Sequence, residues 1–346
     1  MNLVRNRFRG APPLLPDMPM PSTDAGAVAR LLGKCPAAAE TPLIRTQGLA
    51  PLAALWVKDE RGRMGLGSFK ALGAAYVIAH DAMAANPAPD AATLAGRTYV
   101  TASAGNHGLS VAAGARMFGA RAVVYLADTV PGDFTTRLAG MGAEVRRQGS
   151  DYAASMDAAL RAGEDNGWTV LSDTSWPGYT AIPHRLMEGY LQLAAETMRQ
   201  CTDAPAHIFL QAGVGGLASS AAAWFRAAWG DGPVITVVEP ASAPALQASI
   251  AAGKPVYAGG PDSIMGRLDC KEPSLIALNG LARDADHFLT LDDDEVASQL
   301  GAMAAAGLAT TASGGAGLAA AMRADVRAGL SIGADASVLC ILSEQP

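Results

Sequence analysis

From residue 97 onward the chain alternates between short apolar runs and stretches of helical spacing, and this rhythm restricts its fold more than any other feature. Residues 97–101 read as a strand, 108–118 as a helix and 122–126 as the next strand. Residues 134–141 read as a helix, and a strand begins at Gly142-Ala143-Glu144-Val145. A short strand is expected at 168–171, then a long helix over 186–200. The rhythm then returns, with strands at 208–211 and 234–238 around a helix at 218–229. Strand–helix–strand repetition requires crossover connections, which give parallel sheets covered by helices.

A chain of 346 residues, half of them apolar, is long for one core. The expected organisation is a smaller α/β lobe over 82–183, inserted into a larger lobe built from 1–81 and 184–346. Upstream, 52–58 reads as a strand and 24–33 as a short helix with Asp24 near its start. Residues 1–20 and the prolines at 12, 13, 16, 19 and 21 read as an extended arm, with Arg5, Arg7 and Arg9 solvated.

Charge narrows the function. The formal net charge is -6 and only 17% of residues are charged, so nucleic acid is not the expected partner. No run of eighteen apolar residues exists to span a membrane, and the N-terminus lacks a signal-peptide pattern. Cys35, Cys201, Cys270 and Cys340 are scattered without a CxxC, which fits a reducing cytoplasm and gives no support for a metal cluster. Asp292-Asp293-Asp294-Glu295 reads as the acidic start of a helix rather than a metal site.

Three segments carry chemistry together. Lys70 lies in Gly67-Ser68-Phe69-Lys70-Ala71-Leu72-Gly73, where apolar neighbours can depress an amine and let it form an imine. Ser103-Ala104-Gly105-Asn106-His107-Gly108 follows a strand and opens a helix. Its first-turn N–H groups suit a substrate carboxylate, and the Asn106 amide suits a phenolate oxygen. Gly213-Val214-Gly215-Gly216-Leu217 also joins a strand to a helix, and its converging N–H groups suit a phosphate. It is neither a Walker A loop nor a dinucleotide fingerprint.

In this order the three segments resemble the fold-type-II pyridoxal-phosphate enzymes. The resemblance implies an α/β fold of two lobes, each with a mainly parallel sheet flanked by helices. It also implies pyridoxal 5'-phosphate as cofactor and a homodimeric assembly. Lys70 becomes the Schiff-base lysine and Asn106 the partner of the ring hydroxyl. Gly213, Val214, Gly215, Gly216 and Leu217 become the phosphate cradle, Ser343 a partner of the pyridine nitrogen, and Ser103, Ala104, Gly105 and His107 part of the substrate site.

Lys58-Asp59-Glu60 and Ser172-Asp173-Thr174-Ser175-Trp176 bring the chain closest to the diaminopropionate ammonia-lyases. That likeness gives Asp173 a substrate-binding or proton-relay role and implies α,β-elimination, with release of a 2-oxo acid and ammonia. Ala104 departs from the family, which typically carries an aspartate there that is implied to act as base toward D-isomers; the departure implies L-selectivity. Dehydration of an L-β-hydroxy amino acid such as serine, threonine or phenylserine is the alternative, and β-replacement synthesis a further one.

Overall fold

The apolar runs become two separate sheets. The computed structural model describes residues 2–35 and 37–346. Its strands are β1 (Asn2–Arg5), β2 (Leu43–Thr46), β3 (Ala54–Asp59), β4 (Thr98–Ala102), β5 (Arg121–Leu126), β6 (Glu144–Arg147), β7 (Thr169–Val170), β8 (His207–Gln211), β9 (Val234–Pro240), β10 (His287–Leu291) and β11 (Ser337–Leu342). The larger sheet has the order β1-β10-β9-β8-β11-β3-β2, and the smaller has β6-β5-β4-β7. All pairings in the smaller sheet are parallel. In the larger sheet only the edge strands β1 and β2 run antiparallel.

After its first residue, each of β8, β9 and β11 is buried throughout. Burial on both faces is what a helix-covered parallel sheet demands, and it explains why these segments are mostly apolar. The alanine-rich helix Ala312–Met322 packs against β8 and β11. A Cβ at Gly317 would come within 2.8 Å of the Gln211 Oε1 and 3.2 Å of the Phe209 carbonyl, so small residues let this helix lie directly on the sheet. Helices Lys70–Ala85 and Ala181–Gln200 pack together in the same way. A Cβ at Gly189 would stand 2.5 Å from the Leu72 carbonyl, and one at Gly73 would stand 2.8 Å from Tyr190 Cε1. The second helix starts earlier than its periodicity indicates; Pro183 sits in its first turn, where a missing N–H costs nothing.

The N-terminal arm corrects an expectation. Residues 2–5 pair with β10 instead of standing free. Buried Asn6 donates through Nδ2 to the Leu281, Ala282 and Ala285 carbonyls, closing the end of helix Leu275–Asp284. Arg9 joins Asp231 and Asp286. Further on, Asn279 brackets the proline-rich stretch through the Leu15 N–H and the Leu15 and Met18 carbonyls. At the far end of the chain, Asp292 and Glu295 form a reciprocal capping box at helix Asp293–Ala305.

The parallel strands β3, β8 and β11 end on the same edge of the larger sheet. The segments that follow them are the Lys70 loop, the glycine loop and Ser343. In the smaller sheet, β4 leads into the Asn106 turn and β7 into Asp173. Ligands of open α/β sheets gather at such carboxyl ends.

Candidate active site

Lys70 is the first residue of its helix, and the loop before it is tightly wound. Met64 has φ 52°, Gly65 71° and Gly67 82°. A buried charge cluster fixes the start of that loop. Arg63 donates to Glu60 at 2.7 Å and to Glu196 at 2.6 and 2.9 Å, while Lys58 reaches Glu196 at 2.7 Å. Thr41 bridges the cluster by donating to Glu60 and accepting from Arg63. Two cations and two carboxylates balance, and all of these side chains, Thr41 included, are buried.

The Lys70 ammonium forms an ion pair with Asp173. Burial and the positive end of its own helix both disfavour that charge. The Asp173 carboxylate overrides them and holds the amine above its ordinary range. Reciprocally, burial pushes the Asp173 carboxyl up, but Lys70 outweighs it and keeps the group ionised well below the usual carboxylate range. The Lys70 amine also lies 5.2 Å over the Phe69 ring, which meets Tyr190 edge-on at 4.9 Å. Burial raises the Tyr190 phenol, leaving it neutral.

The Asn106 turn is shaped by Ser103, whose Oγ accepts from the Gly105 N–H at 3.2 Å and the Gly108 N–H at 3.1 Å. No side chain caps the helix itself from Gly105. Ala104 is exposed on this turn. His107 lies buried, and its Nε2 is 2.9 Å from the Leu171 carbonyl. Burial lowers its imidazole, so it remains neutral and braces the turn against the strand end before Asp173.

In the glycine loop, Gly215 has φ 98° and precedes helix Gly216–Trp229, which no side chain caps. A Cβ on Gly213 would sit 2.9 Å from Cys270 Sγ and 3.1 Å from the Arg267 carbonyl. One on Gly215 would meet Ala277 and Leu246 at 3.1 Å. Glycine is therefore required at both positions, and the first-turn N–H groups are left to an anion. The Cys270 thiol, pushed by burial up to about 12, is a neutral wall rather than a nucleophile.

Ser343 follows β11, donating its N–H to the Gly314 carbonyl and accepting at its own carbonyl from the Phe69 N–H. The next residue, Glu344, is an addition that sequence reasoning missed. Its buried carboxylate accepts from Asn106 Nδ2 at 2.5 Å and from Thr311 Oγ1, and lies 3.1 Å from Arg267 Nε. Burial raises this carboxyl, and Arg267 and Thr311 pull it back. A carboxylate at the end of an apolar strand was the only available signal.

An amine, an amide and a glycine loop opening an uncapped helix thus lie just past the carboxyl ends of strands in the two sheets. This donor set fits pyridoxal phosphate: the cradle suits its phosphate, Lys70 its aldehyde and Asn106 its ring oxygen. Among the described residues, no three His, Cys, Asp or Glu side chains converge as metal ligands, and no helix is long and apolar enough to cross a membrane.

Comparison with known proteins agrees with this chemistry. The family model for pyridoxal-phosphate dependent enzymes matches residues 35–344. Diaminopropionate ammonia-lyase of Salmonella typhimurium is 32% identical over 284 residues, covering 75% of this chain and 70% of that protein. Biosynthetic L-threonine dehydratase of Burkholderia multivorans is 35% identical over 196 residues, 55% of this chain and 34% of that one. The crystal structure of Escherichia coli diaminopropionate ammonia lyase with an aminoacrylate-PLP azomethine reaction intermediate matches with a TM-score of 0.87 at 29% identity, covering 99% of this chain and 93% of that chain. Motifs, fold and relatives converge: the chain belongs to the pyridoxal-phosphate dependent enzymes of fold type II, among the ammonia-lyases and dehydratases.

Proposed function

We propose that the protein catalyses L-selective α,β-elimination on a β-substituted amino acid, releasing a 2-oxo acid and ammonia. The observation that carries this reading is the Lys70–Asp173 ion pair, set against a turn that offers Ala104 and no carboxylate. When bound, the cofactor supplies an electron sink for charge developing at Cα. Lys70 would hold the cofactor, and its free amine would take the Cα proton. Asp173 steadies the resulting ammonium and orients it. The helix start at Asn106 docks the substrate carboxylate through N–H groups that Ser103 does not take, and half-buried Phe69 with buried Tyr190 walls the amine.

Proton removal is thereby confined to the side of the substrate that Lys70 faces, because Ala104 cannot act as a base. The alanine also favours a second reading for the leaving group. No free carboxylate on the turn would meet a cationic β-amine, so a β-hydroxyl is a fitting competitor to 2,3-diaminopropionate.

The test is a substrate panel of L- and D-2,3-diaminopropionate, L-serine, L-threonine and phenylserine, scored for 2-oxo acid and ammonia with no added nucleophile. Turnover of L-isomers alone, lost in Lys70→Ala, is expected. Equal turnover of D-diaminopropionate, or a requirement for an added thiol or amine, would reject the reading.

A further inference from the structure

Glu344, two residues past the end of β11, is held from several directions. Three side chains from separate parts of the fold converge on its carboxylate: Asn106 at one helix start, Thr311 at another, and Arg267 from a loop. Its carbonyl accepts from Thr310 Oγ1 at 2.6 Å. On either side of it the backbone is tied to the Lys70 loop, through Phe69 N–H to the Ser343 carbonyl at 3.0 Å and Gln345 N–H to the Gly67 carbonyl at 2.9 Å. A buried carboxylate is costly, and a neutral side chain could fill the same space without that cost. What a carboxyl group adds is a short, directional hold on the one donor here that is also assigned to the cofactor.

We infer that Glu344 is a positioning residue that acts through Asn106. An amide nitrogen carries two hydrogens. Glu344 takes one of them, which fixes the amide's orientation and leaves the second for the ring oxygen of the cofactor. Thr311 and Arg267 in turn fix the carboxylate. The inference rests on the assignment of Asn106 to the ring, and it is independent of which amino acid is consumed.

The test needs no substrate. Apo-protein is titrated with pyridoxal phosphate, and both the Kd and the visible absorbance of the bound cofactor are read in a double-mutant cycle. Glu344→Ala should weaken binding about tenfold, the scale of one hydrogen bond to a charged group. It should also shift the visible band. In an Asn106→Ala background the same replacement should change neither quantity further. Multiplying effects of the two replacements, or an unchanged Kd and band in Glu344→Ala, would overturn the inference. Should Glu344→Ala fail to fold, Glu344→Gln serves the same cycle. Its neutral oxygen should weaken binding a few-fold in the wild-type background and not at all beside Asn106→Ala; an equal effect in both backgrounds would mean a merely structural role. A loss of elimination activity by the whole protein would leave these outcomes standing, so the two proposals fail separately.

Discussion

The Lys70 ammonium meets the Asp173 carboxylate across 103 positions of sequence, joining a helix start beside the larger sheet to a loop that leaves the smaller one. The amine of a coenzyme-binding lysine must be uncharged to attack an aldehyde, and this pair opposes that state. Asp173→Asn removes the charge that holds the ammonium while burial, which lowers the amine, remains. The pH for half-maximal coenzyme uptake by apo-protein should therefore fall, by more than about one unit for the loss of so close a partner. Stopped-flow absorbance across pH measures it; an unchanged or raised midpoint would refute the pairing.

The glycine cradle makes a second prediction. Gly215→Ala places a Cβ at φ 98° and within 3.1 Å of Ala277 and Leu246. The backbone must shift to relieve it, at a cost of about 1–3 kcal/mol. Coenzyme affinity should drop at least about tenfold if that cost falls on the bound geometry. Titration of the variant, with its Tm measured alongside, separates lost affinity from lost fold.

Arg63 is the central cation of a buried, balanced cluster. Arg63→Met should lower stability by about 3–5 kcal/mol, because it leaves carboxylates buried without their partner. Urea unfolding checks this, and a loss below 1 kcal/mol would mean the cluster relaxes or admits water.

The same cluster sets an acid limit. Burial raises the Glu196 carboxyl, but Arg63 and Lys58 prevail and bring it to about 2. Because the folded value is depressed, its stabilisation is present above the unfolded value of 4.5 and is lost as pH falls through about 2. Stability measured between those values should decline more steeply in the wild type than in Glu196→Gln, once the fixed loss from the substitution is subtracted.

Stereochemistry offers a gain-of-function test. Ala104→Asp puts a carboxylate on the exposed tip of the turn, where the wild type has no base. Turnover of D-2,3-diaminopropionate should appear or rise relative to the L-isomer, as measured by 2-oxo acid release. No change in the isomer ratio would show that this turn does not face the substrate's second side.

Much of this arrangement could be read from the chain because its signals are local. Each of β8, β9 and β11 is an apolar run bounded by turns, and the Lys70, Asn106 and glycine segments announce themselves by composition. Other parts depend on distant contacts. Asn6 closes a helix end about 275 positions away in sequence, so residues 2–9 looked like a free arm. Tyr190 lies within the helix expected over 186–200 and nothing local marks it out; the close approach at Gly73 and Gly189 accompanies its contact with Phe69. Glu344 follows the end of β11, where strand alternation no longer says which way a side chain faces, and its donors come from three unconnected segments.

The two sheets also divide ownership of the reactive groups. Lys70 and the anion cradle belong to the larger one, Asn106 and Asp173 to the smaller. Parting the two sheets would separate the amine from its counter-charge, so the contact that opposes a neutral amine is also one that joins the sheets.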